Sequence, residues 1–106
     1  MRALRFAGWV LDLARRELTS PAGAAVELSG AEHDLLVAFL ENPQRVLGRD
    51  RIAELARGRL ADPHDRSVDV LVSRLRRKIE GEDGAALIKT IRGAGYIFLP
   101  DVDHAG

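Results

Sequence analysis

Residues 66–80 read RSVDVLVSRLRRKIE and gather Arg66, Arg74, Arg76, Arg77 and Lys78 against only Asp69 and Glu80. Guanidinium and ammonium groups at this density neutralise phosphates. Arginine can in addition give two parallel hydrogen bonds to the O6 and N7 of a guanine. At 100° per residue, Val68, Leu71, Val72, Leu75 and Ile79 share one side of a helix, the stripe that faces a core. Arg66, Val70, Ser73, Arg74 and Arg77 fall on the opposite side, with Arg76 and Lys78 on the two flanks. A basic face is thus turned outward as a unit, with Ser73 able to donate or accept and Val70 able to touch a thymine methyl. Fifteen helical residues span about 22 Å, enough to cross a groove about 12 Å wide. A basic stripe alone more often marks a solvated surface than a ligand site, so the elements around it carry weight.

The chain as a whole has 16 basic and 16 acidic residues, so any nucleic-acid site must be a local patch made by geometry. Its 106 residues suit one domain, read as 1–100 with a flexible tail over 101–106. Hydrophobic residues at 46% with charged ones at 30% are the balance of a soluble globular fold. Without cysteine there is no disulfide framework, and no apolar run suits a membrane span or a signal peptide, so a cytoplasmic location is expected.

Before the basic stretch, short apolar runs separated by turn formers predict strands near 3–6, 9–13, 16–19 and 25–28, a small antiparallel sheet. Ser29 and Glu32 have capping-box spacing, and Leu35, Leu36, Phe39 and Leu40 continue a helix that Asn42-Pro43 ends. RVLG at 45–48 reads as an extended connector, 49–57 as a second helix and 58–65 as a loop. After Glu80, GEDG is a turn, and LIKTIR-GAG-YIFL is a hairpin in which Gly93 and Gly95 allow positive φ. Lys89, Thr90 and Arg92 place charge and polarity on that ribbon. A basic helix followed by a basic-tipped ribbon is the layout of a winged helix.

Enzymatic constellations are missing: His33, His64 and His104 are isolated, and neither HExxH nor GxSxG occurs. Asp62, His64 and Asp65 are better explained as an acidic loop ahead of a helix than as metal ligands, and Gly93-x-Gly95 precedes a strand rather than a dinucleotide helix. No enzyme activity, metal or cofactor is expected.

The segments FAGWVLD with Arg16 and Leu18, ELSGAEHDLL, ENPQRVLGRDRI, DRSVDVLVSRLRRKIE and IKTIRGAGYIF run through almost the entire chain. In order and spacing they resemble the OmpR/PhoB-type winged-helix effector domains of two-component response regulators. The resemblance implies an α+β fold: a four-stranded amino-terminal antiparallel sheet, three helices and a carboxy-terminal hairpin wing. It implies sequence-specific double-stranded DNA binding for transcription regulation, with helix 66–80 in the major groove and wing 87–99 at the minor groove. Carried over by position, the DNA contacts are Arg66, Ser67, Val70, Ser73, Arg74, Arg77, Thr90, Arg92 and Gly93. Arg74 is the expected base reader; Arg66, Arg77 and Thr90 are expected phosphate clamps, and Arg92 a minor-groove or backbone probe. The family further implies a receiver domain ahead of this one in a parent protein and pairing on tandem half-sites, with a monomer as the alternative for the isolated domain; loop 58–65 resembles the segment with which some relatives touch RNA polymerase, with an ordinary connector as the alternative. A winged-helix module whose basic face meets an acidic protein is the alternative. His33, Gly48 and Ala56 depart from the family's commonest residues, and Leu71 faces the core where relatives often carry a polar residue.

Overall fold

The computed structural model describes residues 2–56, 68–80 and 86–105. Strands β1 (Ala3–Phe6), β2 (Trp9–Asp12), β3 (Glu17–Thr19) and β4 (Ala25–Val26) form an antiparallel meander, each close to its predicted place. Alternation puts Leu4, Phe6, Leu11 and Leu18 on the covered face. The sheet has a fifth strand. Residues 101–106, expected to be a flexible tail, instead supply β8 (Asp103–Ala105), which pairs antiparallel with β1 and gives the order β4-β3-β2-β1-β8. Backbone pairing to an open edge needs no apolar alternation, so the polar run DVDHAG carried no strand signal. Gln44 steers the chain there: its amide donates to the Phe98 carbonyl at 2.8 Å, and its side chain donates to Asp101 Oδ1 at 2.6 Å.

Helix α1 (Gly30–Glu41) starts at the expected capping box. The Glu32 amide donates to Ser29 Oγ at 3.2 Å, and the Ser29 amide donates to Glu32 Oε1 at 2.7 Å. The predicted connector at 45–48 contains a short strand, β5 (Val46–Leu47), which pairs with the hairpin and completes a second sheet. Helix α2 (Arg49–Leu55) follows Gly48, which offers no side-chain cap. Helix α3 (Val68–Ile79) leads to the hairpin of β6 (Ile88–Ile91) and β7 (Gly95–Phe98), and this sheet has the order β5-β7-β6. Its turn uses both expected glycines, Gly93 at φ +78° and Gly95 at φ +139°.

The core lies between α1, α3 and the two sheets. Phe98 of β7 meets Phe6 edge-on at 5.4 Å and stacks near Phe39 of α1 at 6.1 Å, so one ring joins both sheets to the helices. His33 occupies part of this interior. Its Nδ1 is 3.6 Å from Asp34 Oδ1, too far for a hydrogen bond, and both ring nitrogens are buried without a partner. Burial, helped by the nearby Arg16 charge, pushes its pKa below the usual imidazole value, so the ring is neutral at neutral pH.

Candidate nucleic-acid interface

Helix α3 divides as its wheel requires. Leu71, Val72, Leu75 and Ile79 are each at most 3% exposed, and Val68 is buried with them. Burying four such side chains contributes on the order of 6–12 kcal/mol against leaving them in water, which fixes the helix's roll. Val70, Ser73, Arg74 and Arg77 consequently stand on the exposed side, Val70 at 49%. Leu71 faces inward, as its wheel position required.

The two flanking cations do not join that outward face. Lys78 turns back to the start of α1, donating to Glu32 Oε1 at 2.5 Å and to the Glu27 carbonyl at 2.8 Å. Burial acts to raise the Glu32 pKa, but the hydrogen bond and charge of Lys78, with the Ser29 amide and hydroxyl, outweigh it and hold the carboxyl below its usual value. Arg76 turns to the hairpin. Its Nε and Nη2 donate to the Ile88 carbonyl at 3.2 and 2.8 Å, Nη2 also reaches Thr90 Oγ1 at 2.8 Å, and the guanidinium lies 5.6 Å from the centre of the Tyr96 ring. The expectation of a single outward block of cations is therefore corrected: packing uses Arg76 and Lys78, and the exposed arginines described on α3 are Arg74 and Arg77.

Asp69 takes its partners from α2 and the hairpin. The Tyr96 hydroxyl donates to it, and Arg49 of α2 donates through Nε to both its oxygens at 3.1 and 3.2 Å. The Tyr96 hydrogen bond, helped by Arg49, holds the Asp69 carboxyl below the usual carboxylate range. Burial pushes the Tyr96 phenol up, and its donation to Asp69 adds to that. Solvent screens the Arg49–Asp69 pair, so its role is geometric more than energetic.

On the hairpin, Lys89, Thr90, Arg92 and Gly93 are exposed, with Arg92 and Gly93 in the turn between the strands. The Arg76 contact places Thr90 against the flank of α3, two positions before that turn. Thr90, Arg92 and Gly93 thus belong to the ribbon beside the outward face of α3. Arg66 and Ser67 lie outside the described residues, as do loop 58–65 and its Asp62, His64 and Asp65. Among the described residues no cluster could hold a metal ion, and no helix is long and apolar enough to cross a membrane.

Arg49, Glu80 and Tyr96 were missed as partners of this surface. For Glu80 a signal was present: Asp69, Arg76 and Glu80 fall within about 40° of one another on a helical wheel. Arg49 and Tyr96 come from elements whose placement beside α3 has no local signal.

Comparison with known proteins decides the lineage. A family described as "Transcriptional regulatory protein, C terminal" matches residues 23–98. The chain belongs to this family. Its members most similar here include the regulatory protein VirG of Agrobacterium fabrum, 52% identical over 103 residues, covering 96% of this chain and 41% of the relative. The chain therefore spans about two-fifths of the length of that relative. Among solved structures, the DNA-binding domain of Klebsiella pneumoniae RstA in complex with the RstA box superimposes with a TM-score of 0.75 at 34% identity, over 92% of this chain and 96% of that one. The DNA-binding domain of Escherichia coli CadC gives 0.84 at 25% identity, over 97% and 96%. The fold is the OmpR/PhoB-type winged helix that the sequence resembled, and the family is one of transcriptional regulatory proteins.

Proposed function

We propose that this domain binds double-stranded DNA sequence-specifically, with α3 in the major groove and the β6–β7 wing at the adjacent minor groove. The observation that carries the reading is the division of α3, aliphatic stripe buried and Ser73, Arg74 and Arg77 exposed, beside a ribbon bearing Thr90 and Arg92. Arg74 stands mid-helix and takes the role of base reader. Arg77 and Thr90 clamp phosphates, Arg66 and Ser67 extend the contact ahead of α3, Val70 offers a methyl-sized apolar contact, and Arg92 with Gly93 probes the minor groove or backbone. In the parent protein the domain would answer to a receiver domain, pair on tandem half-sites and meet RNA polymerase through loop 58–65, all in the cytoplasm where the DNA lies.

Duplex affinity measured against salt tests this. About five neutralised phosphates predict a slope of log K against log salt near −4 to −5. A flat dependence, or equal affinity for every genomic fragment, would point instead to an acidic protein as the partner.

A further inference from the structure

One polar stripe joins the end and flank of α3 to the wing at three successive places. Glu80 Oε2 accepts the backbone amides of Leu87 and Ile88, each at 2.9 Å, at the base of the hairpin. Arg76 holds the Ile88 carbonyl and Thr90 Oγ1 on β6, and Asp69 holds the Tyr96 hydroxyl on β7. Asp69 and Arg76 share one flank of α3 and Glu80, whose amide donates to the Arg76 carbonyl at 2.8 Å, follows directly after its last residue, while Ser73, Arg74 and Arg77 remain exposed. Among the described residues the sheet gives the hairpin one further strand, the two-residue β5, while Ile88, Tyr96 and Phe98 seat it on the core. The stripe adds polar fixings to α3 at base, middle and far strand. Charge-assisted bonds to a carboxylate or guanidinium are the stronger and more directional kind, which suits them to fixing an angle.

We infer that Asp69, Arg76 and Glu80 are positioning residues that set the wing's reach relative to α3, and so fix the spacing between the base Arg74 reads and the backbone that Thr90 and Arg92 touch. This rests on the DNA-binding reading. Thr90 Oγ1 accepts from Arg76 and keeps its own O–H to donate, so the same contact aims that hydroxyl. Glu80 is the cleanest probe, since its partners are backbone amides and it lies off the exposed arginine face.

The test uses a duplex selected from a random pool and the same duplex shortened on the side the wing reaches. Truncation should cost the wild-type protein about tenfold in affinity, the size of one good contact. Glu80→Ala should bind the full duplex about tenfold more weakly and the shortened one as the wild type does, and Glu80→Gln should restore most of the loss. In the DNA-free protein, residual dipolar couplings of β6 and β7 amides should show a wider spread of orientations relative to α3 in Glu80→Ala. Equal losses on both duplexes, or unchanged couplings with unchanged affinity, would overturn the inference. Failure of the wild type to bind any duplex would overturn the underlying DNA reading, and the couplings would still decide whether the stripe orients the wing. Should Glu80→Ala not fold, Asp69→Asn is read by the same couplings and duplexes.

Discussion

Substituting alanine for Gly95 is expected to remove about 4 kcal/mol of folding stability, combining backbone strain with overpacking. A Cβ there would sit 2.1 Å from the Leu47 carbonyl oxygen and 2.8 Å from the Gly48 Cα, and φ is +139°, a region L side chains rarely occupy. Both obstacles are backbone atoms and cannot rotate away. The strand pair β5–β7 would have to part, and β5 leads directly into α2. Gly93 is the internal control. It has φ +78° and nothing within 4 Å of an added Cβ, so Gly93→Ala should cost only about 1 kcal/mol, the left-handed backbone penalty. Thermal and denaturant melts of the two variants measure the difference, and a drop of more than about 15 °C is expected for Gly95→Ala. Similar losses for both would show that close packing of β7 on β5 is not what requires glycine at 95.

Arg74→Ala should lose about 1–3 kcal/mol of discrimination at the base it reads while the fold stays intact. The residue is exposed on α3, and the helix's roll is set by the buried Leu71, Val72 and Leu75. A base contact affects one sequence position, whereas a phosphate contact weakens every sequence alike. Lys89→Ala on the wing is therefore expected to weaken all duplexes together or hardly at all. Competition between a selected duplex and random duplexes reads both variants. Equal losses on specific and random DNA for Arg74→Ala would remove it from base reading and make it a phosphate clamp.

The elements visible in the sequence were those with local rules. Ser29 and Glu32 announced α1, the aliphatic spacing from Val68 to Ile79 announced α3, and Gly93-x-Gly95 announced the hairpin turn. What stayed hidden depended on contacts between distant segments. Lys78 closes on Glu32 across 46 positions, and no pattern around either residue specifies that pairing. Wheel geometry placed Arg76 and Lys78 correctly on the flanks, but the direction in which a flank residue turns depends on what packs beside it. β8 pairs by backbone with the edge of β1, and β5 is two residues long, so neither leaves a readable periodicity. Of the site, the exposed face of α3 was legible because amphipathicity fixes it. The stripe of Asp69, Arg76 and Glu80 was legible only as a spacing, since its partners lie on the hairpin.

The central claim is that the exposed side of α3 and the tip of the wing are the surface that meets DNA. Chemical-shift mapping of the labelled domain titrated with a selected duplex tests it most directly. The largest changes are predicted at Ser73, Arg74, Arg77, Thr90, Arg92 and Gly93, with the amino-terminal strands β2 and β3 nearly still. Changes concentrated on β2, β3 or α1, with α3 and the wing unmoved, would contradict it.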